Sequence, residues 1–283
     1  MTKNIGKSIK TRLLNLAKEE KQDYMKVLVR YLHERLLFRI SASPYKSHFL
    51  LKGSSLLFAL DGFKARPTID IDLLGERISN DRDSLKEVFQ KVCSVECEDD
   101  GVRFDAGSLE LEPIAIEKKY PGTCVKVVAH LDTIVQQVSV DIGFGDVVTP
   151  YPVSLDYPLL LPDVPAVEIY AYSLETLIAE KFHTMVDRDE SNSRMKDFFD
   201  VYQLFTFMHG VIAQLKQLGK VRTSETYTAT LNSFMTFRDE QDVPLDCRLY
   251  VMMLQFLQEE LFIFHIVHKI TENFTFLQIF IRN

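Results

Sequence analysis

"RPTIDIDLLG", residues 66–75, places two aspartates, Asp70 and Asp72, inside an apolar run that is typical of a β-strand. Isoleucine favours strands and aspartate disfavours them, so the two charges need a reason. Side chains two residues apart on a strand point to the same face, and neighbouring carboxylates repel each other unless a cation or water separates them. The pattern therefore predicts either a solvated acidic face on a half-exposed strand or a metal site.

A third carboxylate follows farther along the chain. In "VSVDIGFG", residues 138–145, Asp141 ends an alternating strand, and a neighbouring strand would present it beside Asp70 and Asp72. Mg²⁺ takes hard oxygen ligands from carboxylates, phosphates and water. Two such ions about 3.5–4 Å apart activate an attacking hydroxyl and stabilise a leaving pyrophosphate. The three aspartates are thus candidate ligands of Mg²⁺, with Mn²⁺ as the alternative ion.

The segment before the aspartates contains a candidate phosphate site. In "SHFLLKGSSLLFALDG", residues 47–62, we expect a short strand, a Gly53-Ser54 turn and a short helix. The N–H groups at a helix start point at anions, so Gly53 and Ser54 are predicted to hold phosphate. A Gly-Ser turn alone is uninformative, but one followed by a short helix and an Asp-x-Asp strand is specific.

Three segments of the chain together resemble a known family. "LKGSSLLFALDGFKARPTIDIDLL", residues 51–74, resembles the signature of the nucleotidyltransferase superfamily, the DNA polymerase beta-like group. The spacing is similar to that of the AbiEii-type toxins of bacterial abortive-infection and toxin–antitoxin systems. "YLHERLLFRISASPYKSHFLLKG", residues 31–53, and "AEKFHTMVDRDESNSRMKDFFDVYQL", residues 179–204, resemble further motifs of that branch.

The resemblance implies a role for each matching residue. Asp70 and Asp72 match the metal-binding pair, and Lys181 matches the lysine that contacts the triphosphate. Asp197 matches an acidic residue that positions the nucleotide or orients the acceptor. Asp141 is placed as third ligand and general base on strand position alone. The nucleotide-binding candidates are Gly53, Ser54, Arg66, Lys181, Arg194, Lys196 and Asp200. Without the resemblance, ordinary surface charges and helix ion pairs remain the alternative for the helical residues.

The function that the resemblance implies is transfer of NMP from an NTP to an acceptor hydroxyl by the toxin of a toxin–antitoxin system. The acceptor is expected to be a tRNA 3′ end, and a cognate antitoxin is expected as partner. Two alternatives stay open within this frame: transfer to a protein hydroxyl, and a catalytically silent relative that binds RNA or a partner. A sugar-nucleotide glycosyltransferase, which also uses Asp-x-Asp with a divalent ion, is a third.

The charge of the chain is unevenly distributed. The net charge is −7, yet residues 1–52 contain twelve Lys or Arg against four Asp or Glu and carry +8. The rest therefore carries −15, which is compatible with a basic N-terminal surface beside an acidic body. The basic segment consists of Lys3, Lys7, Lys10, Arg12, Lys18 and Lys21. We expect it either to help hold a nucleic-acid acceptor or to be a solvated helix face.

The pattern of hydrophobic residues predicts an α+β protein. A mixed-sheet nucleotidyltransferase domain with an N-terminal helical extension is expected over residues 1–172, and a helical C-terminal domain over 173–283 completes the cleft. Residues 8–40 are predicted to be mostly helical, with Arg30, Arg35 and Arg39 on the surface. Alternation at period two over residues 101–146 predicts three antiparallel strands joined by turns. The proline-rich residues 146–165 are predicted to be a loop, and a short strand is predicted over residues 167–172. A new helix is expected after Ser173, its N-cap.

The remaining sequence features indicate a cytoplasmic protein. There is no N-terminal apolar segment typical of a signal peptide, and no apolar run long enough to span a bilayer. The four cysteines form no paired zinc motif, so we expect reduced thiols.

Overall fold

The structure is a computed structural model that describes residues 4–114, 122–149 and 151–188, together with positions 196, 199, 200 and 204. Within this part of the chain, one mixed β-sheet carries helices against it. The helices and strands in chain order are α1 (Ile5–Glu19), α2 (Tyr24–Ala42), β1 (Phe49–Lys52), α3 (Gly53–Asp61), β2 (Asp70–Gly75), α4 (Arg82–Cys93), β3 (Val102–Pro113), β4 (Thr123–Leu131), β5 (Ile134–Phe144), β6 (Val153–Tyr157), β7 (Val167–Ala171) and α5 (Leu174–Arg188).

The seven strands lie in the order β3-β4-β5-β2-β1-β7-β6. The pairs β2–β5 and β1–β7 are parallel, and the other four pairs are antiparallel. The predicted antiparallel run of three strands is confirmed as β3, β4 and β5. The α+β class with a mixed sheet and N-terminal helices is confirmed as well.

The two faces of the sheet differ in polarity. On β2, Ile71 and Leu73 are fully buried, whereas Asp70 and Asp72 point to the other face and are only partly buried. Strand β4 repeats the alternation over its whole length, with buried residues at every second position. Helices α1, α2 and α4 pack in layers on the apolar side, where α2 contacts β5 and β7 and α4 contacts β3. The period of two thus gives a core face and a polar face.

The prediction that residues 8–40 are mostly helical is confirmed, and the region forms two helices, α1 and α2, with a short break between them. The chain turns at Lys21, whose φ is +53°. Asp23 then caps α2, because its side chain accepts a hydrogen bond from the Lys26 N–H group at 3.1 Å. A left-handed residue followed by an Asp N-cap ends one helix and starts the next.

The prediction that the arginines of α2 lie on the surface was wrong. Arg30, Arg35 and Arg39 are 7%, 0% and 1% exposed, because α2 is enclosed between the sheet and its neighbouring helices. Each guanidinium meets a backbone carbonyl of a different segment. Arg30 donates to Ala65 at 2.9 Å, and Arg35 donates to Pro165 at 3.0 Å.

Arg39 makes the most extensive of these contacts. Its guanidinium forms a two-pronged ion pair with the fully buried Asp100. It also donates to the Val102 carbonyl at 2.7 Å, while the Val102 N–H group donates to Asp100 at 2.9 Å. Buried charges of this kind are tolerated only when hydrogen bonds satisfy both partners. The pair therefore fixes α2 to the start of β3.

The proline-rich segment contains a strand, so the prediction of a loop over 146–165 was wrong for residues 153–157. Strand β6 pairs with β7 at the edge of the sheet, where Pro152 and Pro158 flank it without breaking a central ladder. The predicted strand over residues 167–172 is confirmed as β7. Helix α5 begins as predicted, since Ser173 Oγ accepts from the Thr176 N–H group at 3.1 Å.

The predicted helical C-terminal domain begins with α5. From residue 189 onward, the predicted helical domain lies outside the described residues except for four positions. Among the helices that the structure describes, none has the length and apolarity needed to cross a membrane.

Removing one partner of the buried Arg39–Asp100 pair tests its importance. We expect Asp100→Ala to lower the free energy of unfolding by about 3–5 kcal/mol, because it leaves a guanidinium buried without a counter-charge. The matched control is Arg12→Ala, which breaks a pair with the 64% exposed Asp163 side chain and should cost less than about 1 kcal/mol. Urea titrations of both variants measure the difference. Equal losses would contradict the assignment.

Candidate functional site

Three aspartates lie together on the polar face of the sheet. Strands β2 and β5 run parallel, and their register sets Asp72 directly beside Asp141 and Asp70 beside Ser139. Paired residues of adjacent strands project from the same face. Asp70, Asp72 and Asp141 therefore share one face, and the charge of Asp70 acts on both of the other carboxylates. The roles of these residues as ligands and general base stay predictions.

Gly53 allows the close approach of the Asp72 carboxylate to the start of α3. The φ of Gly53 is +61°, and a Cβ atom built there would lie 2.0 Å from Asp72 Oδ2. No other residue fits, because a side chain would occupy the carboxylate's position and the φ is left-handed. The Ser54 N–H group donates weakly to the same oxygen at 3.4 Å. The helix start that was predicted to hold phosphate thus faces Asp72, so a phosphate bound there would also lie next to this aspartate.

The surroundings of Asp72 favour its neutral form. Burial, which is the largest cause, and the nearby charge of Asp70 together raise the pKa of Asp72 to about 6. Lys52 and Lys181 act in the opposite direction, and the Glu180 carboxylate adds to the rise. Two neighbouring carboxylates on a partly buried face repel each other, and a divalent cation bound between them would relieve that repulsion.

Asp141 has a partner that the sequence reasoning missed. Cys124 of β4 lies directly beside it in the antiparallel register, and its thiol hydrogen-bonds to the Asp141 carboxylate. Burial raises the pKa of Asp141, the Cys124 hydrogen bond lowers it, and the charge of Asp70 raises it again. A lone cysteine on an alternating strand gives no signal of this contact, because only the register of β4 and β5 creates it.

The aspartates suit a hard cation that shares its ligands with a substrate. Among the described residues, no three His, Cys, Asp or Glu side chains are grouped so that they hold a metal ion by themselves. Asp70 and Asp72 nevertheless offer two carboxylates on one face, and Gly53 keeps the space beside Asp72 free of a side chain. Mg²⁺ typically binds through one or two carboxylates and completes its octahedron with phosphates and water. The donor set therefore fits Mg²⁺ or Mn²⁺.

A second cluster joins three residues that the sequence analysis had named separately. Arg66 holds Asp200 through two hydrogen bonds of 2.8 and 3.0 Å, and the Lys181 ammonium donates to the same carboxylate at 2.9 Å. Asp200 is 1% exposed and Lys181 is 9% exposed. Bidentate Arg–carboxylate contacts are the strong and directional ones. Lys181 is therefore buried and paired with Asp200, so the alternative of an ordinary surface charge does not apply to it.

The other helical candidates named from the sequence are Lys196, Asp197 and Arg194. Lys196 is exposed. Asp197 and Arg194 lie outside the described residues, so their assignment stays a prediction.

Lys52 is a residue near the site that the sequence analysis did not name. It is paired with Asp72 across β1 and β2, and its ammonium lies between two carboxylates, those of Asp146 and Glu180. Tyr172 also belongs to this group, since its hydroxyl donates to Asp146 at 2.9 Å. The position of Lys52 immediately before Gly53 was the available signal, but an ion pair between residues 128 positions apart cannot be inferred from one sequence.

The basic N-terminal segment is less exposed than its composition suggests. Lys10 pairs with Asp132 at 3.1 Å, and Arg12 pairs with Asp163. Lys7, Lys18 and Lys21 are exposed, while Lys3 lies outside the described residues. Three of the arginines that contribute to the +8 charge are buried in α2. The charge available to a partner is therefore smaller than the sequence count.

Comparison with known proteins adds family membership to this geometry. JHP933 from Helicobacter pylori is 15% identical, with 88% of this chain and 97% of that chain covered and a TM-score of 0.40. An antigenic nucleotidyltransferase-like protein from Paracoccidioides brasiliensis is 13% identical, with 68% and 90% covered and a TM-score of 0.37. No protein of curated function matches the sequence significantly. The family described as "Nucleotidyl transferase AbiEii toxin, Type IV TA system" matches residues 35–262. This chain is therefore a member of the AbiEii nucleotidyl transferase toxin family.

Proposed function

We propose that this protein transfers an NMP group from an NTP to an acceptor hydroxyl, most favourably at a tRNA 3′ end, and that it acts in the cytoplasm as the toxin opposed by a cognate antitoxin. The observation that carries the proposal is the register of β2 and β5, which sets Asp70, Asp72 and Asp141 on one face beside the start of α3. Family membership supports the nucleotidyl transferase activity and the toxin role.

The three aspartates divide the chemical work in this proposal. Asp70 and Asp72 would hold Mg²⁺, which would polarise phosphoryl oxygens and stabilise charge on the leaving pyrophosphate. Asp141 accepts the proton of the acceptor hydroxyl. The freed oxygen forms a bond to the α-phosphorus, the bond from that phosphorus to the bridging oxygen breaks, and pyrophosphate leaves with the electron pair. The raised pKa of Asp141 suits it to accept this proton.

Lys181 and Arg66 supply the positive charge for the triphosphate. A lysine ammonium has three donors and no acceptor, so Lys181 can keep Asp200 and still donate to a phosphate. Negative charge grows on pyrophosphate as the bond breaks, and a contact that strengthens with it lowers the barrier. Asp200 holds both cations in place for this contact.

The acceptor is the point at which the alternatives diverge. Exposed Lys7, Lys18 and Lys21 on or just after α1 favour an RNA backbone, whereas a protein hydroxyl would not need them. A silent RNA- or partner-binding relative has no reason to retain two neighbouring carboxylates that repel each other. A sugar-nucleotide glycosyltransferase is disfavoured by the match to the nucleotidyl transferase family.

The direct test incubates the pure protein with Mg²⁺, total RNA and each labelled NTP in turn. Label entering the RNA, with the tRNA fraction labelled first, supports the proposal. Label entering protein supports the second acceptor, and labelling of neither with any NTP overturns the proposal.

Neutralising either aspartate of β2 should separate activity from stability. We expect Asp70→Asn and Asp72→Asn to reduce NMP transfer to background while the protein stays folded. With EDTA present, the folded wild type binds more protons at Asp72 than the unfolded chain between about pH 4 and 6, because the pKa of Asp72 is raised. The contribution of Asp72 to the free energy of unfolding therefore falls as the pH rises through that window. Asp72→Asn should remove this fall, which is on the order of 1–3 kcal/mol.

Transfer assays and pH-dependent melts of the same samples measure both effects. The control is Asp81→Asn, which alters an exposed N-cap of α4 away from the site and should leave transfer intact. Near-native transfer by either β2 variant would contradict the proposed ligand roles.

Removing the ammonium of Lys181 should affect chemistry more than folding. We expect Lys181→Ala to lower kcat by about 10²–10³ and to weaken NTP binding, with acceptor affinity unchanged. Lys181→Arg should restore only part, because the planar guanidinium cannot occupy the same point. Lys86→Ala, at an exposed position of α4, is the matched control. Steady-state kinetics with varied NTP decides, and a normal kcat in Lys181→Ala would remove this residue from the mechanism.

The exposed lysines of the basic segment should control the salt dependence of acceptor binding. Each phosphate contact to a single strand contributes a slope of about −0.7 in log K against log salt. Reversing Lys7, Lys18 and Lys21 to Glu should therefore flatten the slope for tRNA by about 2. Reversal of Lys86 and Lys91 on α4 is the control. Filter binding over a salt series measures the slope. An unchanged slope would favour the alternative, in which the basic segment is a solvated helix face that does not contact the acceptor.

A further inference from the structure

The ammonium of Lys52 joins three elements that surround the site. Lys52 is the last residue of β1, and its Nζ lies 2.5 Å from Asp146 Oδ2 and 2.6 Å from Glu180 Oε1. Asp146 follows β5, and Glu180 lies on α5. All three side chains are 13–20% exposed, so these contacts form largely out of water. Charge-assisted hydrogen bonds in such surroundings are strong and directional.

The group around Lys52 is organised beyond the two ion pairs. Tyr172 donates its hydroxyl to Asp146, and the Lys52 ammonium lies 5.4 Å from the centre of the Tyr172 ring. The Tyr172 N–H group donates to the Leu51 carbonyl at 3.0 Å, which ties the start of α5 to β1. Lys52 is thus held from several sides, and its position relative to the sheet is fixed by its own backbone in β1.

Helix α5 packs on the core through the buried Leu177, Ile178 and Ala179, and two polar contacts on successive turns add to this packing. The first is at its start, where Thr176 Oγ1 donates to the Thr149 carbonyl at 2.7 Å. The second lies four residues later, at Glu180, which is held by Lys52. The apolar packing holds the helix against the core, and the two directional contacts one turn apart further restrict its direction and its rotation about its axis.

Glu180 directly precedes Lys181, so what fixes one residue fixes the other. Consecutive helical residues are about 100° apart around the axis, and Lys181 therefore keeps a set angle to the Lys52–Glu180 contact. Lys181 Nζ reaches Asp200 at 2.9 Å from that position. A misplacement of about 1 Å in a group that contacts the reacting atoms can cost a factor of about 10².

We infer that Lys52 is a positioning residue for the triphosphate: by holding Glu180, it sets the rotation of α5 so that the Lys181 ammonium faces the substrate phosphates. This inference rests on the proposed role of Lys181. It assigns a function to Lys52 and Glu180 that acts through another side chain. Without the ammonium, the carboxylates of Asp146 and Glu180 would repel each other and the second polar contact of α5 would be lost.

A double-mutant cycle, measured with a ligand that carries no nucleobase, tests the inference. The probe is inorganic tripolyphosphate, whose binding to the full chain is measured by calorimetry at a fixed Mg²⁺ concentration. We expect Lys52→Met and Lys181→Ala each to weaken binding at least about tenfold. We expect the double variant to be no weaker than Lys181→Ala, because residues that act through one contact are not additive. Lys52→Arg should restore part of the affinity, since a guanidinium can reach both carboxylates.

Two further variants keep the test decisive. Glu180→Gln removes the charge that Lys52 holds while preserving the shape, and it should reproduce the loss if Lys52→Met fails to fold. Lys46→Met breaks the more exposed pair with Glu168 and should bind tripolyphosphate normally. The kinetic counterpart is a loss in kcat/KM for NTP of the same order, with the melting temperature of Glu180→Gln nearly unchanged.

The outcomes separate this inference from the proposed function. If Lys181→Ala weakens binding but Lys52→Met and Glu180→Gln do not, the positioning role is overturned and the proposed function stands. If the losses of Lys52→Met and Lys181→Ala multiply in the double variant, Lys52 acts independently and the inference is overturned. If Lys181→Ala binds tripolyphosphate normally, the role of Lys181 falls and the inference falls with it.

Discussion

A shift of one residue in the pairing of β2 would bury two carboxylates and expose Ile71 and Leu73. Side chains alternate strictly along a strand, so the register that fills the core is the same register that presents Asp70 and Asp72 on the polar face. The parallel pairing with β5 then fixes Asp141 beside Asp72. The hydrophobic core and the candidate site therefore depend on one constraint, and neither can change its register alone.

In the N-terminal region, charged side chains are buried in the core itself, where polar partners compensate them. Helix α2 carries three arginines into the core, and each finds a carbonyl or a carboxylate at a separate segment of the chain. A buried guanidinium group needs oriented oxygen partners, so it specifies position more strictly than apolar contacts do. Through Ala65, Pro165 and Val102, α2 holds the segments that precede β2, precede β7 and begin β3. Of these contacts, the one to Ala65 lies next to the candidate site, because Ala65 precedes β2.

The sequence was informative where its pattern is local and periodic. Alternation predicted β2 through β5, and the capping Ser173 predicted the start of α5, because both depend on residues close together in the chain. The buried arginines were missed because a helix surrounded on all sides loses its amphipathic pattern. Strand β6 was missed because proline is tolerated at a sheet edge. The contacts of Lys52 and Cys124 depend on register and on pairs far apart in sequence, and no local pattern encodes them.

The two outermost strands have a consequence for association of the protein with itself. An edge strand offers unpaired N–H and C=O groups to any other chain, and long flat edges promote aggregation. Strand β6 is only five residues long between Pro152 and Pro158, which leaves little room for a further strand. Strand β3 carries the exposed charges of Arg103, Glu110 and Glu112, and its register with β4 is interrupted between Asp105 and Glu110. In the part of the chain that the structure describes, both ends of the sheet are therefore poor templates for growth by strand addition.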